Sequence, residues 1–338
     1  MPASVAIEQA VLLVGGLGTR LRPLTYRLPK ALMPVANLPL IAYEIIPLAR
    51  AGVKQIILAM GYRAELLQLH LGDGRQWGVE LIYVEEAEPL DTAGAISNVR
   101  EHITGPFFAC NGDMIYDVDL SAFAADHVRR EALITFCLRR TADIAHFGLI
   151  QWDDAGRVTA FKEKVPFDET GRNTVNSGFY LMAPEVLDAI PPGRPYSNER
   201  DLFPALLQAG RSLYAHLPAR DGYWADVGRL DTYLQANAAV VGGQLSWFQP
   251  AVRSDLPASA ELAGAADIAQ GVTIGAGVVI GAGMAVGAGA TIGDGAVVAQ
   301  SIIWPGSRIG QGARVHGSVV AGASVPEGAG AVNEVIVD

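Results

Sequence analysis

The sequence predicts a doubly wound α/β domain followed by a β-helix of six-residue repeats. Two observations support this fold class. Over roughly the first 240 residues, short aliphatic runs alternate with helical patterns, and this order indicates parallel strands joined by crossover helices. After that point glycine and alanine dominate, and an aliphatic residue recurs at every sixth position. We place the α/β domain at residues 1–243, a linker at 244–262 and the β-helix at 263–338.

Four strands and three helices are predicted at the start of the α/β domain. The strands are AVLLV (10–14), VKQIILAM (53–60), VELIYVEE (79–86) and PFFACNGD (106–113). The helices are LIAYEIIPLARA (40–51), YRAELLQLHLG (62–72) and TAGAISNVREHI (92–103). The first helix contains Pro47 and closes at Gly52. Because ligands of such sheets bind outside the carboxyl ends of the strands, the residues that follow each strand are the functional candidates.

The repeat region keeps a strict period over much of its length. Spacings of six separate the aliphatic residues Ile268, Ile274, Ile280, Val286, Ile292 and Val298. This period fits neither an α-helix nor an alternating strand, but it is typical of a β-helix whose aliphatic residues fill a prism-like core. Steps of five, from Val298 to Ile303 and from Val315 to Val320, interrupt the register. The length predicts about three coils of 18 residues; the alternative, a flexible Gly/Ala-rich tail, would not keep this period.

Composition narrows the class of protein. The chain has 338 residues and a formal net charge of −10, which opposes binding to a nucleic-acid polymer. We expect neither a signal peptide nor a membrane helix, because glycines interrupt the first apolar run and no apolar stretch approaches about 20 residues. A cytoplasmic location is therefore the simplest expectation. Cys110 and Cys137 both lie in apolar segments, which predicts two buried thiols on neighbouring strands.

The first predicted strand ends in a glycine-rich stretch with fixed cations. Gly15, Gly16 and Gly18 follow the strand, and Thr19, Arg20 and Lys30 come after them. The stretch is not a Walker A loop, because no GxxxxGK followed by Ser or Thr can be read there. It also fails the dinucleotide fingerprint, because Leu21 occupies the position of the third glycine. Bare backbone N–H groups, a forked guanidinium and a point charge suit phosphate binding. The alternative is a tight turn with solvated cations.

Two aspartates are candidate metal ligands. Asp113 stands at the carboxyl end of the fourth predicted strand, and Asp226 lies in GYWADVG between an aromatic pair and a glycine. A carboxylate at a strand end is well placed to hold Mg²⁺ beside a nucleotide. Taken singly, each aspartate could instead cap a turn or a helix. Together with the glycine-rich stretch they predict carboxylates that share one or two metal ions.

The motifs resemble those of a known family. GGLGTRLRPLT, from Gly15 to Thr25, and the later Pro29-Lys30 match the signature of the sugar-1-phosphate nucleotidyltransferases, and within them the chain resembles the mannose-1-phosphate guanylyltransferases. FKEKVP, VNSGFY and HFGLI resemble sugar-pocket motifs of that family, in which a C-terminal hexapeptide β-helix is also usual. The resemblance covers nearly the whole chain. It implies a Rossmann-like nucleotidyltransferase domain followed by a left-handed β-helix.

The resemblance also implies roles for individual residues. Arg20, Lys30 and Asp113 would be catalytic, and Asp113 and Asp226 would hold Mg²⁺. The nucleotide would contact Leu13, Gly15, Gly16, Gly18, Thr19, Arg20, Asp91, Thr92 and Gly94. The sugar phosphate would contact Gly148, Glu163, Lys164 and Asn176. The implied partners are a nucleoside triphosphate and a sugar 1-phosphate, together with a second copy of the chain bound through the β-helix.

Two positions depart from the family pattern. Val165 is inserted where the family reads EKP, which affects the placement of Lys164. Asp91 replaces the glycine of PLGTAG in a loop that contacts the base in the family. An aspartate there could accept hydrogen bonds from N1–H and N2–H of guanine, which favours GTP. Alternatively, Asp91 or Thr92 caps the helix that follows.

The expected reaction joins GTP to mannose 1-phosphate, giving GDP-mannose and pyrophosphate. Glucose 1-phosphate with UTP, dTTP or ATP is the alternative substrate pair. A non-catalytic regulatory homologue is an alternative of another class, although Arg20, Lys30, Asp113 and Asp226 are all present. A hexapeptide acyltransferase is another, but His316 is the sole histidine of the repeat region.

Overall fold

The computed structural model describes residues 6–61, 63–141, 144–145, 147–163, 165, 168–251 and 256–338, and only the backbone of Glu163. The predicted sugar-phosphate ligand Lys164 lies outside the described residues. The chain divides into two compact units, each formed by several stretches of sequence. The first unit comprises Met1–Gly16, Glu44–Met114 and Val118–Gly222, and the second comprises Leu17–Tyr43, Ile115–Asp117 and Tyr223–Asp338. Because these units interleave along the chain, they do not test the boundaries at 243 and 263, which stay predictions.

In the described part of the chain, thirteen strands and six α-helices precede the repeat region. The strands are β1 (Gln9–Val14), β2 (Pro34–Val35), β3 (Leu38–Pro39), β4 (Gln55–Met60), β5 (Glu80–Glu85), β6 (Phe107–Asn111), β7 (Met114–Tyr116), β8 (Ile134–Arg140), β9 (Gly148–Trp152), β10 (Val158–Glu163), β11 (Thr174–Met182), β12 (Leu213–His216) and β13 (Trp224–Asp226). The helices are α1 (Ala42–Arg50), α2 (Ala64–Leu71), α3 (Asp91–Asn98), α4 (Leu120–Arg129), α5 (Phe203–Gln208) and α6 (Leu230–Val241).

A nine-stranded mixed sheet forms the core of the first unit. Its parallel part has the order β6-β1-β4-β5, so the chain winds from β1 to one side and then returns to the other. These are the four predicted strands, and the doubly wound α/β prediction is confirmed. β11 joins the sheet antiparallel to β6, and β9, β10, β8 and β12 extend it. Buried aliphatic and aromatic residues such as Val11, Ile57 and Phe107 fill one face of this sheet.

The predicted helices are present with shorter bounds. α1 contains Pro47, and Gly52 follows it with φ 102°. α2 ends before Gly72, whose φ is 59°. This left-handed backbone conformation favours glycine at the end of a helix. α3 ends at Asn98, and a separate 3₁₀ turn covers Arg100–His102, so the single helix predicted to reach residue 103 is wrong. The chain tightens there because the Val99 N–H bonds to the carbonyl of Ile96.

Fourteen short strands form the β-helix of the second unit. They are β14 (Glu261–Leu262), β15 (Ala266–Ile268), β16 (Thr273–Ile274), β17 (Val279–Ile280), β18 (Met284–Val286), β19 (Thr291–Ile292), β20 (Val297–Ala299), β21 (Ile302–Ile303), β22 (Arg308–Ile309), β23 (Arg314–His316), β24 (Val319–Ala321), β25 (Ser324–Val325), β26 (Gly330–Val332) and β27 (Val335–Val337). Each strand pairs in parallel with the third strand after it, which gives three sheets of five, five and four strands. The β-helix prediction is confirmed.

The β-helix has more coils than the period predicts. Two faces carry five stacked strands, whereas the sequence predicts about three coils. The additional strands lie at the two ends, where β14 pairs with β17 and β27 pairs with β24. Leu262 of β14 keeps the six-residue spacing from Ile268, whereas the step of five from Val320 to Val325 precedes β27. Near β27, backbone pairing with a regular neighbour therefore extends the fold beyond the regular aliphatic period.

Both cysteines are buried, as predicted, and neither forms a disulfide. Cys110 lies on β6 and Cys137 on β8, but β11 pairs with both strands and lies between them. The prediction that the two thiols occupy neighbouring strands is therefore wrong. Among the described residues, no helix is long and apolar enough to cross a membrane.

Candidate active site

The end of β1 is packed too closely for side chains. A Cβ atom at Gly61, which follows β4, would lie 3.1 Å from the carbonyl oxygen of Gly15. A Cβ atom at Gly15 would lie 3.4 Å from Oε1 of Glu86. Because the parallel strands β1, β4 and β5 all end here, their first loop residues crowd together. Because Gly15 has no side chain, its backbone N–H is not shielded by one, and bare N–H groups of this kind suit phosphate binding.

Gly18 opens the short 3₁₀ turn Thr19–Leu21, which carries the predicted ligands Thr19 and Arg20. Gly18 has φ 58°, and a Cβ atom there would lie 2.8 Å from Cγ2 of Thr25. The Thr25 hydroxyl donates to the carbonyl of Gly18 at 3.0 Å and fixes the turn. Only glycine fits both the backbone conformation and the space.

Two cations and a carboxylate converge in the second unit. Nζ of Lys30 lies 3.8 Å from Oδ1 of Asp226, and the Lys30 side chain is 12% exposed. Gly228 lies close to both of the other side chains. A Cβ atom at Gly228 would lie 2.8 Å from Nη2 of Arg20 and 3.1 Å from Oδ1 of Asp226. Arg20 and Asp226 therefore approach the same point on the backbone. The structure brings together Arg20, Lys30 and Asp226, although Arg20 and Asp226 are 206 positions apart in sequence.

Asp113 stands on a rigid turn at the end of β6. The Gly112 N–H donates to the carbonyl of Leu13 at 2.9 Å, and a Cβ atom at Gly112 would lie 2.7 Å from that oxygen. On the other side of Asp113, the Met114 N–H donates to Oε1 of Glu44 at 3.2 Å. Glu44 is fully buried on α1. Sequence reasoning missed Glu44, because a single acid inside an apolar helix gives no sign of the backbone that it contacts.

Asp91 is held by its own helix and by an arginine. It is the first residue of α3 and has φ 59°. Its Oδ1 accepts from the Thr92 N–H at 2.7 Å, and its Oδ2 pairs with the guanidinium of Arg200. Asp91 is not the N-cap of α3, and among the described residues no side chain caps this helix through a hydrogen bond, so the capping alternative is not borne out. A contact between Asp91 and guanine stays a prediction. Gly94 packs against backbone, since a Cβ atom there would lie 2.8 Å from the carbonyl oxygen of Arg194.

Glu86 is a further acid at the strand ends that sequence reasoning missed. Its Oε2 accepts from the Leu90 N–H at 3.0 Å, so it fixes the loop that leads to α3. Burial raises the pKa of Glu86, and the negative charge of Asp91 acts in the same direction. The signal in the sequence was its position, as the second glutamate that ends the third predicted strand.

Asn176 belongs to a chain of part-buried hydrogen bonds. Its Nδ2 donates to the Tyr180 hydroxyl at 2.8 Å, and that hydroxyl donates to Oε1 of Glu199 at 3.3 Å. Oδ1 of Asn176 accepts from the Gly178 N–H at 3.1 Å. Burial raises the pKa of Glu199.

Two of the predicted sugar-phosphate ligands lie on neighbouring antiparallel strands. Gly148 is the first residue of β9, and it is paired with the backbone of Glu163 on β10.

The predicted metal ligands supply carboxylate oxygens only. Within the described part of the chain, no three His, Cys, Asp or Glu side chains form a metal site by themselves. Mg²⁺ does not require such a cluster, because it binds through one or two carboxylates, waters and substrate phosphates. The half-buried Asp113 and the partly exposed Asp226 each offer a carboxylate of the kind that this hard cation prefers, and their joint binding of one ion stays a prediction.

Comparison with known proteins identifies relatives of the chain. A family model described as nucleotidyl transferase matches residues 9–242. A mannose-1-phosphate guanylyltransferase of Mycobacterium tuberculosis is 37% identical over 236 residues, which cover 69% of this chain and 65% of that protein. The catalytic subunit beta of a Drosophila melanogaster mannose-1-phosphate guanylyltransferase is 36% identical over 230 residues, 67% of this chain and 61% of the relative.

A relative described with another substrate specificity also matches. A UTP–glucose-1-phosphate uridylyltransferase of Synechocystis is 30% identical over 253 residues, which cover 70% of this chain and 64% of that protein. In all three matches the chain spans less than two thirds of the length of the relative.

Proposed function

Because this chain belongs to the nucleotidyl transferase family, we propose that it joins a nucleoside triphosphate to a sugar 1-phosphate and releases pyrophosphate. The observation that carries the proposal is the convergence of Arg20, Lys30 and Asp226 beside Gly228. Two fixed cations next to a carboxylate suit a reaction in which negative charge moves between phosphate groups.

The proposed reaction is an in-line displacement at the α-phosphorus. An oxygen of the sugar phosphate attacks, the bond to the β-phosphate oxygen breaks, and pyrophosphate leaves with the electron pair. No side-chain nucleophile takes part, because the attacking oxygen belongs to the substrate. The backbone from Gly15 to Gly18 holds the triphosphate, and Arg20 and Lys30 offset the charge that develops on the transferred and leaving phosphates.

We propose Asp113 and Asp226 as the residues that hold Mg²⁺. When bound, the ion neutralises charge on phosphate oxygens of the substrates. The turn around Asp113 is held by Gly112 and Glu44, so this carboxylate has a defined backbone position before substrate arrives.

For the sugar phosphate we propose Asn176, Glu163, Lys164 and Gly148 as ligands. Asn176 is supported by its geometry, because Tyr180 and the Gly178 N–H hold both atoms of its amide and so fix its orientation. A side chain that is oriented in advance loses little conformational entropy when it binds a sugar hydroxyl.

We propose GTP and mannose 1-phosphate as the substrates. Support comes from relatives that are described as mannose-1-phosphate guanylyltransferases at 36–37% identity. Asp91 and Glu86 are the candidate acceptors for guanine N1–H and N2–H. UTP with glucose 1-phosphate is the second candidate pair, since a relative at 30% identity is described as a uridylyltransferase.

A panel of substrates tests the proposal. Pyrophosphate release is measured with GTP, UTP, dTTP and ATP, each with mannose 1-phosphate and with glucose 1-phosphate, in the presence of Mg²⁺. We expect the highest kcat/KM for GTP with mannose 1-phosphate. A preference for UTP with glucose 1-phosphate would support the second candidate. Absence of pyrophosphate release with all eight pairs would favour a regulatory homologue, and acetyl transfer from acetyl-CoA would favour the acyltransferase alternative.

A further inference from the structure

A two-residue hairpin follows the predicted catalytic Lys30. β2 and β3 pair antiparallel, and Ala36 and Asn37 form the turn between them. Both residues have positive φ, 40° for Ala36 and 59° for Asn37. Alanine rarely adopts this conformation because its Cβ atom clashes with the backbone. Such strain persists where the surroundings hold the backbone firmly.

A buried amide on α6 holds Ala36. Oδ1 of Asn237 accepts from the Ala36 N–H at 2.9 Å, and Nδ2 of Asn237 donates to the carbonyl of Gly283 at 2.9 Å. Gly283 lies in the β-helix, directly before β18. Asn237 is 1% exposed, so neither bond is replaced by water when it breaks. One side chain therefore joins the hairpin turn to a coil of the β-helix.

A buried aspartate of the β-helix holds Asn37. Oδ2 of Asp267 on β15 accepts from Nδ2 of Asn37 at 2.6 Å, and the Asp267 carbonyl accepts from the same group at 3.1 Å. Oδ1 of Asp267 accepts from the Ala251 N–H at 2.5 Å. Asp267 is 3% exposed, and burial raises its pKa. Both oxygens of this buried carboxylate therefore accept hydrogen bonds, one from the Asn37 side chain and one from the Ala251 backbone.

A third contact holds the first strand of the hairpin. The Tyr233 hydroxyl on α6 donates to the carbonyl of Pro34 at 2.5 Å and accepts from Nε1 of Trp304 at 3.1 Å. Trp304 follows β21 and is buried. The hairpin is thus fixed by three buried side chains, Tyr233, Asn237 and Asp267, which all contact the β-helix or belong to it.

The base of the hairpin lies next to Lys30. The Leu40 N–H donates to the carbonyl of Met33 at 3.0 Å, and the Ile41 N–H donates to the carbonyl of Ala31 at 2.9 Å. These bonds close the hairpin onto the 3₁₀ turn Lys30–Leu32. A shift of the hairpin therefore moves the backbone that carries Lys30.

We propose that Asn237 and Asp267 are positioning residues, through which the β-helix holds the hairpin and thereby places Lys30 for phosphate transfer. This inference rests on the proposed function, in which Lys30 offsets the negative charge that develops on the transferred and leaving phosphates. Neither residue touches substrate. Displacement of a reacting group by about 1 Å costs on the order of a hundredfold in rate, so a small movement of the hairpin has a measurable effect.

The first test compares two variants with matched controls in the full chain. We expect Asn237→Ala and Asp267→Asn to lower kcat for pyrophosphate release about tenfold or more, with KM for the sugar 1-phosphate changed less than about twofold. Gln235→Ala removes an exposed amide from the same helix, and Asp294→Asn changes an aspartate that accepts from the Ala276 N–H within the β-helix. Both controls keep full activity. Full activity of Asn237→Ala and Asp267→Asn would overturn the inference.

The second test asks whether the effect passes through Lys30. In a Lys30→Ala background, Asn237→Ala and Asp267→Asn should cause no further loss of kcat, because the group that they position is gone. Losses that multiply would show a general structural effect instead and would overturn the inference. If Asn237→Ala fails to fold, Asp267→Asn alone carries both tests.

Hydrogen exchange separates this inference from the proposed function. The Ala36 amide should exchange faster in Asn237→Ala than in the parent chain, and unchanged exchange would contradict the hairpin contact whatever the activity. If the parent chain releases no pyrophosphate, the proposed function fails. If the parent is active, Lys30→Ala is inactive and the hairpin variants are fully active, only the positioning inference fails.

Discussion

Single glycines shape the candidate site through close contacts rather than through turn propensity. A Cβ atom at Gly112 would lie 2.4 Å from Cγ1 of Val14, and one at Gly228 would lie 2.8 Å from Nη2 of Arg20. At Gly112 a Cβ atom would also lie 2.7 Å from the carbonyl oxygen of Leu13, so a side chain there would displace the backbone. At Gly228 the nearest atoms are the ends of the Arg20 and Asp226 side chains, which a Cβ atom would push aside. Gly112 keeps the turn before Asp113 against β1, and Gly228 leaves room for Arg20 beside Asp226.

Removal of one charge at the site should abolish most activity. We expect Arg20→Ala and Asp113→Asn to lower pyrophosphate release at least about a hundredfold, because each removes a group that stabilises charge in transfer. Arg75→Ala is the control, since Arg75 is 90% exposed and pairs only with a neighbouring aspartate, Asp73, among the contacts described for it. Near-normal turnover of correctly folded Arg20→Ala would contradict the assignment.

Nucleobase selectivity tests the role of Asp91. If Asp91 accepts hydrogen bonds from guanine, Asp91→Gly should lower kcat/KM for GTP relative to UTP by about tenfold. Arg200→Ala is the matched control, because it releases the carboxylate of Asp91 from its ion pair without removing it. An unchanged GTP/UTP ratio in Asp91→Gly would leave Asp91 as the ion-pair partner of Arg200 and would direct attention to Glu86.

A buried histidine makes the first unit sensitive to acid. Burial lowers the pKa of His127 from 6.5 to about 4, and its Nδ1 lies 2.8 Å from Oγ1 of Thr135. The unfolded chain binds a proton below pH 6.5 that the folded chain does not bind until about pH 4. Stability is therefore full above the unfolded pKa and falls between these values, by about 1.4 kcal/mol per pH unit.

Thermal unfolding over this pH range measures the effect. The melting temperature should fall between neutral pH and the acid end of the window, and the fall should be smaller in His127→Gln. His70→Gln serves as the control, because His70 is exposed on α2. An identical pH dependence in His127→Gln and the parent would contradict the assignment.

The corners of the β-helix explain the interrupted period. Ser301 and Ser318 lie at the two five-residue steps, and both are fully buried. The Ser301 hydroxyl donates to the carbonyl of Ala299 at 2.7 Å and accepts from the Ser318 N–H at 3.0 Å. The Ser318 hydroxyl repeats this pattern with the carbonyl of His316 and the Glu334 N–H. Where a corner is one residue short, a serine hydroxyl therefore replaces the missing backbone contact.

Loss of one such hydroxyl should destabilise the β-helix. Ser318→Ala removes the acceptor of the Glu334 N–H, and loss of this part-buried hydrogen bond costs about 0.5–1.5 kcal/mol. Denaturant unfolding of the full chain measures the change, and Ser324→Ala, at an exposed position on β25, is the control. Equal stability of Ser318→Ala and the parent would show that the corner does not depend on the hydroxyl.

On the scale of the whole molecule, the β-helix gives the chain flat faces of stacked parallel strands. We propose that copies of the chain associate through this region, where Val332 is 57% exposed. Light scattering after size-exclusion chromatography should give a mass that is a multiple of the 35.6 kDa chain. A mass of one chain across the accessible range of concentrations would contradict the proposal.

Local patterns in the sequence were sufficient to predict the parallel strands, the β-helix and the glycines of the site. Each depends on neighbours along the chain or one coil away: alternating aliphatic runs, a six-residue period, or a strand that ends in glycine. Only the tertiary structure decided that Lys30 faces Asp226, that Glu44 and Glu86 fix strand ends, and that Asn237 and Asp267 hold the hairpin. These contacts join residues far apart in sequence, and their formation depends on how packed elements align, which no local period encodes.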